Sequence, residues 1–245
     1  VKMRRLPEAA TLADRLERGT LTGEDLRRAA RRIARFHDRA AQGAKIARYG
    51  RFRVVAANML ENLRDGREQI GTTLTRSVFD RLAQRTRAVL TDRRPLIEER
   101  ARAEVPCDAH GDLRLEHVYL VEPDSRFAAE GPLGDVVIVD CVEFNDRYRY
   151  ADPVSDAAFL EMDLRVSGRR DLAAAFARAY FEARPDEAGR PLLPTYGSYR
   201  SAVRAKVQGI KALQESEAGA DRSDESGDDE PTESAAGSDD ERGTR

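Results

Sequence analysis

Two aspartates and two histidines in one part of this chain could together move a proton and hold a cation. Three of them, His110, Asp112 and His117, sit in the run CDAHGDLRLEHVYL at positions 107–120, and Asp140 closes the run DVVIVD at 135–140. Both runs are rich in Val, Leu, Ile and Tyr, and the segment between them holds Pro123, Gly131, Pro132 and Gly134. That pattern predicts two antiparallel strands, 117–122 and 135–140, joined by a loose hairpin. Antiparallel pairing sets the start of the first strand beside the end of the second. His117 and Asp140 then become neighbours, with Asp112 in the loop just before them.

Two carboxylates and an imidazole at one hairpin end suit phosphoryl transfer. One carboxylate can orient or deprotonate an acceptor hydroxyl. Another can hold Mg²⁺ against nucleotide phosphates, because this chemistry depends mainly on positioning and charge neutralisation.

His110-Gly-Asp112 followed by Val139-Asp140 resembles the catalytic loop and metal-binding aspartate of the aminoglycoside phosphotransferase family, whose loop reads H-G-D-x-x-x-x-N. The run ADPVSDAAF at 151–159 is similar to that family's D-P-x-x-D-x-A segment, which leads into a helix. The run at 141–146, CVEFND, is most similar to the branch related to choline-kinase-like and homoserine-kinase-like enzymes. The resemblance implies an ATP-dependent kinase that uses ATP and Mg²⁺ to phosphorylate a hydroxyl of a small molecule. It makes Asp112 the catalytic carboxylate and Asp140 the metal ligand. His110 would brace the loop, and Asp156 would cap its helix and tether that loop.

Three departures stand out. His117 occupies the family's Asn position, so the metal falls to Asp140 with His117 and Glu143 in support. Arg114 replaces a small or polar residue and could touch phosphate. The opening residues 1–7 resemble the hinge strand between the lobes of such a kinase, with Val1, Lys2 and Met3 at the adenine. On that reading the small ATP-binding lobe is missing. The chain alone would then be a poor kinase, with an exposed lobe surface open to self-association. The alternative is a catalytically dead pseudokinase or a binding or regulatory fragment. A metal-dependent phosphoesterase is disfavoured, since the chain has three His and none follows His117.

The elements that must position these residues are mostly helical. Apolar residues recur at helical spacing from Leu12, from Leu26 to His37 behind a Thr22 cap, and through 52–63, 75–92, 153–164 and 171–180. In the stretch 75–92 the apolar face is read as Val78, Leu82 and Val89, with Phe79 alongside. Pro95 is read as opening a separate helix, Asp171 as a cap, and 196–213 as the last helix. His37 is read as a packing or capping residue. The fold class is therefore mainly α with a small β-hairpin, as in a protein-kinase-like large lobe over 1–214.

From Glu215 onward there are twelve acidic and three basic residues, so this segment carries −9 and the rest +7 within a total of −2. The segment lacks large apolar residues and reads as a disordered acidic tail, 215–245. The arginines of the body are dispersed along helices, which favours a solvated surface over a nucleic-acid site. Two cysteines imply no disulfide framework, and no apolar run approaches membrane-spanning length, so the cytoplasm is the expected location.

Overall fold

Several helices of this chain begin where a short oxygen-bearing side chain caps them. Thr11 accepts the N–H of Asp14 and opens α1, Leu12–Glu17. Thr22 accepts from Asp25, whose carboxylate bonds back to the Thr22 N–H, and this reciprocal box opens α2, Gly23–Arg39. The computed structural model describes residues 5–125, 127–128 and 134–205, all within one compact unit, Val1–Lys206. The hinge-like residues Val1, Lys2 and Met3 and the acidic tail lie outside the described residues.

After α2 come α3 (Ala44–Ala47), α4 (Phe52–Asp65) and α5 (Arg76–Arg102). A short strand, β1 (Cys107–Asp108), leads to the hairpin β2 (Val118–Leu120) and β3 (Val136–Ile138). Next are α6 (Asp146–Arg149), β4 (Tyr150–Ala151), α7 (Pro153–Val166) and α8 (Arg170–Ala183). A last helix, α9, is described over 193–205. The protein is mainly α-helical with two small antiparallel sheets.

The core forms around α7, which is buried on every side, as expected of a central helix. On α2, Ala29, Ala30, Ile33 and Ala34 are fully buried, and the small side chains allow α8 to pack closely through Phe176 and Tyr180. Arg100 of α5 fixes the start of α7. Its guanidinium is buried and donates to both oxygens of Asp152, at 2.6 and 3.0 Å, and to both of Asp186, at 2.8 and 2.7 Å. Burial alone would lower its pKa, but the two carboxylates drive it up. Asp152 in turn caps α7 by accepting the N–H of Val154.

Several sequence expectations need correction. Pro95 does not open a new helix: α5 runs through it, held on either side by buried Leu90 and Ile97. The buried face of α5 is Phe79, Ala83 and Leu90, while Val78, Leu82 and Val89 are partly exposed. The face is rotated by one residue because Phe79 and Ala83 dock against Leu63 of α4. Asp171 lies in the first turn of α8 and pairs with Arg169, which occupies the cap position without a side-chain cap bond. The pairing of β1 with β4, Cys107 opposite Ala151, was not foreseen from two-residue strands.

Candidate active site

The hairpin register sets the site. Val118 pairs with Ile138, Tyr119 with Val137 and Leu120 with Val136. The strands are shorter than expected, but Val139 N–H donates to the His117 carbonyl at 3.0 Å and Val121 N–H to that of Asp135 at 2.9 Å. The ladder thus ends at His117 and Val139, and Asp140 is the first residue beyond it. Asp140 has φ of +65°, in the left-handed region that only a few residue types tolerate. Such strain concentrates at functional positions.

The loop that brings up Asp112 is pinned from both sides. Leu113 and Leu115 are buried, which turns Asp112 and Arg114 outward. Gly111 has φ of +83°, and a Cβ there would lie 2.7 Å from the Tyr148 carbonyl oxygen, so only glycine fits. Beneath it, Asp156 is fully buried and accepts the N–H of His110 at 2.6 Å and of Gly111 at 3.0 Å. The expected tether is therefore present, but the helix cap is Asp152.

Asp156 has two further supports that the sequence reading did not assign. His37 Nε2 lies 3.4 Å from its carboxylate, and His37 Nδ1 lies 2.8 Å from the Tyr180 hydroxyl, all within the core. Arg200 of α9 is buried and donates to the Gly111 carbonyl at 2.9 Å. Burial would raise the pKa of Asp156, but the His37 hydrogen bond and the nearby His37, His110 and Arg200 side chains hold it below the ordinary carboxylate value. The signal for Arg200 was legible: it falls on the same stripe of α9 as buried Tyr196.

His110 joins the two carboxylate-bearing segments. Its Nε2 lies 2.8 Å from the Val139 carbonyl, which can only accept, so this nitrogen carries the proton. Nδ1 is then free to accept the Asp112 N–H at 3.3 Å. The ring is buried and stacks on His117, with centroids 5.9 Å apart. The His110 ring thus bridges the Val139 carbonyl and the Asp112 N–H.

His117 stands between the two carboxylates. Its Nδ1 donates to the Asp112 backbone carbonyl at 2.7 Å, with the Asp112 carboxylate at 3.6 Å. Its Nε2 faces the Asp140 carboxylate at 3.3 Å. The Asp140 side chain is 76% exposed, against 35% for Asp112. Because a carbonyl fixes the Nδ1 proton, Nε2 in the neutral ring presents a lone pair to a carboxylate oxygen. A proton or a metal ion between them turns that opposition into a bond.

Glu143 does not join this group. Val142 is buried against Gly111, and Glu143 is exposed. Arg114 pairs with Glu116. Among the described residues, no three His, Cys, Asp or Glu side chains are gathered to hold a metal. The pair that remains, a carboxylate oxygen and an imidazole nitrogen whose other nitrogen is clamped by a carbonyl, fits a divalent ion that also takes oxygens from a ligand.

No family model matches the chain, and no solved structure matches it. An uncharacterized protein of Mycobacterium tuberculosis is 33% identical over 214 residues, which is 87% of this chain and 41% of that protein. An uncharacterized protein of Mycobacterium bovis is similar to the same extent. The chain thus spans about two fifths of the length of the curated relatives it matches. Among the described residues, no helix is long and apolar enough to cross a membrane.

Proposed function

We propose that this chain carries the catalytic lobe of an ATP-dependent phosphotransferase similar to the aminoglycoside phosphotransferases, with the large-lobe fold of protein-kinase-like enzymes. The observation that carries this reading is the placement of Asp112 and Asp140 at opposite nitrogens of one imidazole, on a loop and a strand end locked together by His110 and Asp156. A packing role would not explain an exposed carboxylate held in a left-handed conformation at a strand end.

Asp112 takes or orients the proton of an acceptor hydroxyl on a small molecule. Asp140 and His117 would hold Mg²⁺, which when bound supplies charge neutralisation for the transferring phosphoryl group. His110 keeps the Asp112 backbone at a fixed distance from the strand that bears Asp140. Asp156, through the N–H groups of His110 and Gly111, keeps the turn from opening.

A second reading, a binding module without catalysis, is favoured by one feature: His117 sits where an oxygen donor would suit Mg²⁺ better. The two are separated by incubating the chain with radiolabelled ATP, Mg²⁺ or Mn²⁺, and a panel of hydroxyl-bearing amino sugars and amino alcohols. Transfer that disappears in Asp112→Asn supports the phosphotransferase. ATP binding without any transfer supports the binding module.

A further inference from the structure

The arginines of α2 fall into two sets with different surroundings. Arg27 and Arg31 pair with Glu24, and Arg28 pairs with Asp25 and Asp135. Arg32, Arg35 and Arg39 pair with no carboxylate among the described residues, yet all three line one cavity of about 400 Å³. Their spacing of three and four residues puts them on one face of the helix. Phe36 lies among them, and Val139 and Asp140 contribute to the same cavity. Arg149 also lines it, but its guanidinium is taken by Asp108.

Like charges at these spacings repel one another and destabilise a helix. The neighbouring arginines on the same helix have been neutralised, so leaving these three unpaired is a local cost that a bound anion would remove. A cavity of this size lies within the range of small-ligand sites, about 300–1,000 Å³. Guanidinium forks match phosphate oxygens in bidentate fashion, and uncompensated positive charge around a concavity concentrates multiply charged anions.

We infer that this cavity binds a di- or triphosphate group, and that Arg32, Arg35 and Arg39 grip the donor nucleotide's phosphates beside Asp140. This is a phosphate grip that the sequence reading did not find. Only the identity of the ligand as the donor nucleotide rests on the phosphotransferase reading; the anion site stands on the arginines alone.

The test is calorimetric titration of the whole chain with inorganic tripolyphosphate, without divalent ions. Wild type should bind it saturably and orthophosphate far more weakly. Arg35→Gln and Arg39→Gln should each weaken tripolyphosphate by about tenfold, with melting temperatures unchanged or slightly raised. Arg31→Gln, whose side chain pairs with Glu24, should bind as wild type does. Equal affinity in wild type and both cavity variants, or no saturable binding at all, would overturn the site. Competition by ATP supports the donor assignment, whereas competition by glucose 6-phosphate but not ATP overturns it. Asp112→Asn should retain tripolyphosphate binding. Loss of transfer there tests the catalytic reading, while loss of binding in the arginine variants tests this one.

Discussion

The carboxylate of Asp156 accepts the backbone N–H of His110 at 2.6 Å, joining the interior of the central helix to the turn that presents Asp112. One buried side chain thus sets the position of a loop 46 residues earlier in the chain. The same turn is held from the interior by the Gly111 N–H on this carboxylate and by Arg200 on the Gly111 carbonyl.

Replacing that carboxylate should therefore damage both stability and site geometry. In Asp156→Asn, one amide oxygen cannot serve the N–H groups of His110 and Gly111 as well as His37. Each buried donor left unpaired costs about 1–3 kcal/mol. Thermal and urea melts should show the loss, and any transfer activity should fall with it. A variant as stable as wild type would mean that the tether contributes little.

The same residue gives a pH dependence with a definite sign. Its folded pKa lies below the ordinary value of 3.8, so its contribution is fully present above that value and is lost as the pH falls through the lowered one. Asp163 acts in the opposite sense: burial raises its pKa, so it costs stability above its folded value and recovers it as the pH falls. The stability difference between wild type and Asp156→Asn isolates the first effect. It should be constant from about pH 7 to pH 5 and shrink below about pH 4. A difference that grows on acidification would reverse the assignment.

Two left-handed positions should respond in opposite directions. Gly111→Ala forces a side chain into a positive φ, at about 1–2 kcal/mol, and against the Tyr148 carbonyl oxygen. Asp140→Gly relieves a positive φ at an exposed position and should be neutral or stabilising by up to about 1 kcal/mol. The gain should come with loss of metal-dependent nucleotide binding. Melting temperatures of the two variants falling together would contradict this.

His117 controls the choice of metal in this account. Its nitrogen suits first-row transition ions better than Mg²⁺. His117→Asn supplies an oxygen donor in its place and should shift the ratio of Mn²⁺ to Mg²⁺ half-saturation by about tenfold towards Mg²⁺. The measurement is metal-supported nucleotide binding by calorimetry, and an unchanged ratio would remove His117 from the metal site.

Much of the framework was legible because it rests on local rules. The Thr22 cap, the α2 stripe from Leu26 to His37 and the hairpin that brings His117 near Asp140 follow from periodicity, capping and turn chemistry, whereas the register, with His117 opposite Val139, does not. The misread parts depend on tertiary contacts. Helical spacing alone could not choose between Val78 and Phe79 as the buried residue of α5, because both lie on adjoining stripes and the choice is made by Leu63. Two-residue strands such as β1 and β4 carry no periodicity to read. His37 was read as a packing or capping residue, but its bond to Asp156 spans 119 residues and leaves no local trace.

The most direct test of the central claim compares Asp112→Asn with Asp140→Asn in nucleotide binding and phosphoryl transfer. Calorimetry with ATP and Mn²⁺ or Mg²⁺ reads the first, and radiolabelled transfer to the hydroxyl-bearing panel reads the second. The account requires wild type to bind the metal–nucleotide complex and to transfer at a measurable rate, slow as expected of a large lobe alone. Asp112→Asn should bind the metal–nucleotide complex as wild type does and lose transfer by about 10²–10⁴, while Asp140→Asn should lose metal-dependent binding itself. Turnover by Asp112→Asn equal to that of wild type would contradict the assignment.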